Sequence, residues 1–226
     1  MQKPIIVIAC RVFEGMLQTR SKAAIREFIF LDYGLHKLPR LMPAALQEKI
    51  DALTEPSTVI LGYGLCGNGL VGVQAGPHTL VIPRVDDCIA VFLGSYEAYR
   101  QELDECPGTY YLTRGWLESG TEPLSEYQEL CRKFGEDKAG LVMDMMLSKY
   151  RRMCLLAFSE EELAVCRPRA LEVAEFCKSR WGLKYEEKTG SDGYLRRLLD
   201  ASGNTGELLI IPPGGEITQS QFIRLS

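Results

Sequence analysis

Apolar residues along this chain fall into two patterns. Short continuous runs bounded by Gly, Pro or Asp read as buried strands, and apolar positions three and four apart read as helices. The run Ile5-Ile6-Val7-Ile8-Ala9-Cys10 makes residues 4–10 a first strand. A short helix is predicted over 12–19, with Glu14 near its positive end. Residues 27–33, EFIFLDY, form a second strand, since aromatic and β-branched side chains dominate them. Ala44, Leu46, Ile50 and Leu53 are spaced as one helix face, so 43–53 is helical. After the turn Thr54-Glu55-Pro56-Ser57 comes a third strand, Val59-Ile60-Leu61. It breaks into the glycine-dense stretch Gly62-Tyr63-Gly64-Leu65-Cys66-Gly67-Asn68-Gly69. A short helix is expected to follow, ending near Gly76 and Pro77. Residues 79–82 make a fourth strand, stopped by Pro83. Asp86 or Asp87 can cap a helix over 88–93, and Ser95 another over 96–104.

From Pro107 the texture changes. A β-like run over 108–113 ends in Arg114-Gly115-Trp116. Helices are expected over 124–134 and 138–150, a strand over 152–158 and a helix over 168–181. A strand over 183–187, a short helix over 194–199 and a last strand over 207–211 complete the chain, closed by Pro212-Pro213-Gly214-Gly215. Strands alternating with helix-length segments predict an α/β fold, with a Rossmann-like parallel sheet flanked by helices. One domain over 1–226 is expected. Its subdivision is a motif-bearing half, 1–106, and a second α/β half of similar build, 107–226. No sequence repeat links the two.

Composition narrows the partners. Of 226 residues, 46% are hydrophobic and 25% charged, with a net charge of -4, which suits a globular chain and disfavours nucleic acid. No apolar stretch has the length of a membrane span, and the first residues lead straight into a strand without a signal-peptide pattern. The expectation is a cytoplasmic protein with no membrane and no nucleic-acid partner. Eight cysteines then stand out, because in a reducing compartment clustered thiols point to metal or redox chemistry more than to disulfides.

Three of the eight end strands. Cys10 closes the first, Cys66 sits in the glycine turn after the third, and Cys88 follows the fourth. A parallel sheet brings such strand ends to one edge, so the three are expected to form one site. Thiolates are soft ligands for zinc, copper(I) and iron–sulfur clusters, and three of them leave one coordination position open. The alternatives are unmetallated catalytic thiols and ordinary buried cysteines. Cys131, Cys154 and Cys177 read as the latter, and Cys106 and Cys166 have no motif around them.

Other residues group with these three. His36 follows the second strand and, with Asp87, is a candidate for proton transfer; a loop histidine and a helix-capping aspartate are the plainer readings. Arg84 is a candidate anion holder. Tyr63, Gly64, Gly67 and Asn68 of the glycine turn are further substrate-binding candidates. Trp116 is another, from an aromatic run that walls a pocket or simply fills core. His78, after Gly76-Pro77, reads as a turn residue. Gly62-x-Gly64-x-x-Gly67 also has the dinucleotide spacing, although such a motif normally follows the first strand, not the third.

The stretches IAC, LDYGLHKLP, GYGLCGNGLVG, IPRVDDCIAVFLGS, GTYYLTRGW and LLIIPPG together resemble the domain-of-unknown-function family 1638 over nearly the whole chain. The resemblance implies that Cys10, Cys66 and Cys88 are motif cysteines and that His36 and Trp116 lie in motifs. It also implies histidine where this chain has Asp86. Members are typically found in anaerobic bacteria and archaea, often beside corrinoid-dependent methyltransferase systems, which points to one-carbon metabolism.

The leading expectation is an enzyme with a three-cysteine metal site, a 4Fe-4S cluster first and zinc second, acting on a small anionic substrate. By analogy with other three-cysteine α/β proteins, the chemistry is that of a lyase or desulfidase. A non-catalytic accessory protein of a corrinoid-dependent methyltransferase system is the alternative, and a nucleotide-binding α/β domain the next. The corrinoid pattern D-x-H-x-x-G is absent from the sequence.

Overall fold

The computed structural model describes residues 3–20, 24–201 and 206–224. Its strands are β1 (Ile5–Cys10), β2 (Ile25–Leu31), β3 (Thr58–Gly62), β4 (Thr79–Pro83), β5 (Thr109–Leu112), β6 (Arg152–Ala157), β7 (Lys184–Thr189) and β8 (Leu208–Ile211). Its α-helices are α1 (Met16–Arg20), α2 (Met42–Asp51), α3 (Ile89–Leu93), α4 (Tyr96–Glu105), α5 (Arg114–Ser119), α6 (Pro123–Phe134), α7 (Glu136–Leu147), α8 (Glu160–Trp181) and α9 (Gly193–Leu199). The chain divides into two units, one from 1–96 with 192–226 and the other from 97–191.

In the first unit the sheet order is β2-β1-β3-β4-β8, parallel except for β8. The strands read as continuous apolar runs because both faces are covered. Ile6, Ile8, Val59, Leu61, Leu80 and Ile82 share one core with Met42, Leu46 and Ile50 of α2. The alternate residues Val7, Ala9, Ile60 and Val81 are buried as well. Helix α9 packs on β4 and meets α1 and α3, and Phe13 stacks on Phe92 with centroids 4.9 Å apart.

The second unit holds a three-stranded parallel sheet, β5-β6-β7. Helix α8 lies on β6 and β7 and touches α5 and α6. Its stripe Leu163, Cys166, Ala170, Val173, Ala174 and Cys177 packs with Met153, Leu155 and Ala157. Both units thus hold a sheet of mostly or wholly parallel strands with helices, but they differ in strand number and order.

Several expectations change. The last strand does not stay with the second half: β8 pairs antiparallel with β4, Val81 opposite Ile210. A cut after 106 would therefore strip the first sheet of its edge. Helix α8 begins at Glu160, well before Pro168, because the Ser159 side chain accepts from the Glu162 amide and three glutamates fill the first turn. The apolar stripe continues through Pro168 and holds the helix together there. The stretch 12–19 splits into a 3-10 turn, Arg11–Phe13, and α1. Arg114-Gly115-Trp116 opens α5 instead of ending a strand.

The helix expected between β3 and β4 does not form; residues 67–72 are turns. Their backbone groups bond the chain's distant end. The Gly72 amide donates to the Ile217 carbonyl at 2.9 Å, the Ala75 amide to Gly215 at 2.9 Å, and the Ile217 amide to Val73 at 3.0 Å.

Candidate functional site

In the order β2-β1-β3-β4 the winding reverses between β1 and β3. A doubly wound sheet opens its ligand crevice there, outside the carboxyl ends of the strands. Cys10 is the last residue of β1, Cys66 follows the end of β3 and Cys88 follows the end of β4. Register fixes more. Ala9 pairs with Gly62 as the last pair of the ladder, and Cys10 and Tyr63 are the next residue on each side. Strand parity puts both on the α2 face, with Ile8 and Leu61. Cys10 and Cys66 pack against the same core cluster that contains Tyr63.

The glycine turn is built to hold Cys66 against the loop that bears Cys88. The Leu65 amide donates to Val85 at 2.9 Å, and the Cys66 amide to Asp86 at 2.8 Å. A Cβ on Gly64 would lie 2.7 Å from the Asp87 Cα, so only glycine lets the two backbones touch. Cys66, Gly67 and Asn68 then take φ of 48°, 64° and 69°, three left-handed residues in a row. Two of them carry side chains, a strain that tertiary contacts must hold in place. The Gly69 and Val71 amides donate to the Cys66 and Asn68 carbonyls. The amides of residues 65, 66, 69 and 71 are thus engaged within the fold, and the exposed tip at Gly67 and Asn68 is what the turn presents outward.

The eight cysteines are free thiols, and these three are half-buried. Burial is the main influence on each. It pushes the Cys10 thiol up to about 11; Asp32 raises it further, while the Val12 amide and Arg11 act the other way. Burial, then the Asp87 charge, then Cys10 push Cys66 up to about 12. Burial, followed by Cys66, Asp87 and Cys10, raises Cys88 well above its ordinary value. Cys10 thus acts on Cys66, and both act on Cys88. Tyr63 is 3% exposed, and its hydroxyl has no hydrogen-bond partner among the described residues. Burial raises its pKa, with added contributions from Cys10, Cys66, Asp32 and Cys88.

The remaining candidates are placed as follows. Asp87 caps α3, its carboxylate accepting the Ile89 amide at 2.8 Å, and its charge acts on Cys66 and Cys88. Asp86 is exposed and contributes its carbonyl. His36 is exposed in the 3-10 turn Tyr33–Lys37 after β2. Arg84 turns to the chain's end, donating to the Ile223 carbonyl, and it is not among the groups that act on the three thiols. Trp116 belongs to the second unit, in α5. His78 is a buried structural residue whose Nδ1 accepts the Ser57 amide at 3.2 Å. Asp32 was not singled out from the sequence. It follows Leu31, the register partner of Cys10, and caps its turn by accepting the Gly34 amide at 2.7 Å. Counting register from the strand ends would have found it.

Two chemistries can be tested against this arrangement. A dinucleotide site needs a helix N-terminus behind its glycines, and none follows Gly62-x-Gly64-x-x-Gly67 here. For metal, no group of three or more His, Cys, Asp or Glu that could hold a metal ion occurs among the described residues. The donor set itself has soft-metal chemistry. Cys10 and Cys66 raise the resistance of their neighbours to ionisation, and all three half-buried thiols act on the Tyr63 hydroxyl, which has no partner among the described residues; a bound cation would reverse the first effect, and its ligand sulfurs would offer the second an acceptor.

The family model described as "Protein of unknown function (DUF1638)" matches residues 30–199. The chain belongs to this family. The match takes in His36, Cys66, Cys88 and Trp116, whereas Cys10 lies ahead of it. No curated protein and no solved structure matches the chain. Among the described residues, no helix is long and apolar enough to cross a membrane.

Proposed function

We propose that the first unit carries a metal centre on Cys10, Cys66 and Cys88, and that the protein is a metal-dependent enzyme acting there on a small anionic substrate. The observation that carries this reading is the convergence of three half-buried thiols at the carboxyl ends of β1, β3 and β4, each within electrostatic reach of another. A 4Fe-4S cluster suits them better than a single zinc ion. A cluster spreads its cysteine ligands over separate irons, so the sulfurs need not meet at one point. Three ligands leave one coordination position open, and such a centre supplies Lewis acidity toward an oxygen or sulfur of a substrate.

The chain's own groups divide the remaining work. Asp87 stands nearest by charge to Cys66 and Cys88 and is the candidate for moving a proton. Asp32 has the same relation to Cys10. His36, exposed after β2, meets a substrate from solvent. The tip at Gly67 and Asn68 forms part of the rim. Arg84 has no substrate role in this reading, because its guanidinium is held by Ile223. Lyase or desulfidase chemistry remains the analogy that guides the choice of substrates.

The test is iron, zinc and acid-labile sulfide content, with visible and EPR spectra, on protein purified without oxygen beside Cys66→Ala. Iron and sulfide near about four per chain, lost in the variant, are expected. Stoichiometric zinc lost in the variant would keep the site and replace the cluster. Absence of metal in wild type after metal-replete growth would overturn the proposal.

A further inference from the structure

Four buried side-chain polar atoms lack a hydrogen-bond partner among the described residues: Tyr63 Oη, Arg84 Nε, Thr113 Oγ1 and Arg224 Nε. The two arginines place other guanidinium nitrogens well. Arg84 donates to the Ile223 carbonyl, and Arg224 to the Arg84 carbonyl at 2.9 Å. Thr113 lies in the second unit. The Tyr63 hydroxyl, unlike the arginine nitrogens, is the whole polar content of its side chain, and unlike Thr113 Oγ1 it belongs to the unit that holds Cys10, Cys66 and Cys88. An unsatisfied buried hydroxyl costs about 1–3 kcal/mol, so a native fold keeps one where a partner arrives later or where function requires it.

Its position follows from the backbone. Tyr63 follows Gly62, whose ladder partner Ala9 precedes Cys10, and it belongs to the core on the α2 face against which Cys10 packs. The ring is packed with Leu61, Met42 and Leu70 in one core, against which Cys10 and Cys66 also pack. The nearby groups whose charges reach the hydroxyl are Cys10, Cys66, Asp32 and Cys88, the three site thiols and one carboxylate. The phenol O–H is a good donor, and a protonated thiol is a weak acceptor. An ionised thiolate is a strong one. The hydroxyl therefore gains its missing bond when the thiols lose their protons to a metal.

We propose that Tyr63 is the second-layer donor of the three-thiol site, its hydroxyl giving a hydrogen bond to a metal-bound cysteine sulfur. The inference rests on the metal reading above and adds a residue to it that is not a ligand. Such partners fix ligand orientation and tune the metal, and their loss typically weakens binding about 10–100-fold. The same hydroxyl is a burden in the metal-free protein and an asset in the loaded one, so one substitution has opposite signs in the two states.

The experiment uses the full chain, stripped of metal and kept free of oxygen, reconstituted with increasing iron(II) and sulfide as wild type, Tyr63→Phe and Cys66→Ala. Wild type is expected to bind with a thiolate-to-iron charge-transfer band that Cys66→Ala loses. Tyr63→Phe is expected to keep the stoichiometry, bind roughly tenfold more weakly and move the band to lower energy, since a sulfur without its hydrogen bond is easier to oxidise. In the metal-free state its urea midpoint is expected to equal or exceed that of wild type. Unchanged affinity and band in Tyr63→Phe, beside a wild type that binds, would overturn the role of Tyr63 and leave the metal reading standing. A lower metal-free midpoint would do the same, because it would show that the hydroxyl already has a partner. No thiolate–iron band in wild type would overturn both.

Discussion

The amide of Cys66 donates to the carbonyl of Asp86 at 2.8 Å. With the neighbouring bond from Leu65 to Val85, it carries the pairing of β3 and β4 beyond the sheet and into the loops. Cys66 and Cys88 are therefore held together by main chain, whatever their side chains bind. The site is a property of the sheet's edge, and its weakest points are the places where the two loops touch.

Gly64 is one such place. A Cβ there would lie 2.7, 2.8 and 2.9 Å from the Cα, C and N of Asp87, all backbone atoms. Backbone cannot swing aside as a side-chain tip can. Gly64→Ala is expected to destabilise the protein by about 1–3 kcal/mol and to expose Cys66 and Cys88 to alkylation. Urea unfolding and mass-spectrometric counting of modified thiols check both effects. Wild-type stability in the variant would mean that the loops lie farther apart than described.

Cys66 itself is held at φ 48°. A residue with a Cβ is strained in this region by about 1–2 kcal/mol, and glycine is not. Among metal-free variants, Cys66→Gly is therefore expected to unfold at a higher temperature than Cys66→Ala, although both lack the thiol. Calorimetry on the pair separates the strain from the chemistry. Equal midpoints would show that the turn relaxes once the sulfur is gone.

Alkaline pH should loosen the metal-free fold. Burial keeps the Cys10 and Cys66 thiols protonated beyond the ordinary value of 9.0, to about 11 and about 12. Below 9.0 the folded and unfolded chains both hold these protons, and the contribution is fully present. Between 9.0 and the folded values the unfolded chain releases protons that the fold retains, so stability falls as pH rises. Urea midpoints measured from about pH 8.5 to about pH 10.5 should fall, and should fall less steeply in Cys10→Ser. A parallel decline in both proteins would assign the loss to other groups.

The second unit depends on a different buried group. Glu102 is 3% exposed and accepts from Arg152 at 2.7 Å and from the Tyr111 hydroxyl at 3.3 Å, with Lys188 on its other oxygen. Removing Glu102 takes away the buried carboxylate of the pair and leaves Arg152 with the half-exposed Glu186. Glu102→Ala is expected to cost about 3 kcal/mol, read by urea unfolding, with no change in metal content. A cost below about 1 kcal/mol would place the pair in solvent-like surroundings.

By itself the sequence determined the strands, the class of fold and the placement of three cysteines at or after strand ends. Continuous runs such as Ile5-Ile6-Val7-Ile8 are buried on both faces wherever they pair, so their identity as parallel strands is local information. Cys10, Cys66 and Cys88 were legible because each comes at or just after a strand's carboxyl end, and parallel pairing then brings them to one edge. What only the tertiary structure decided are the distant pairings. The turns after Cys66 replace an expected helix because residues 72–75 bond the segment around Ile217, far away in sequence. Strand β8 joins β4 for the same kind of reason, and α8 runs through Pro168 because its apolar stripe is buried on both sides of that residue. The Tyr63 hydroxyl without a partner among the described residues and the proximity of Asp32 to Cys10 are likewise facts of register and packing. No window of neighbouring residues encodes them, because the atoms that meet belong to different strands.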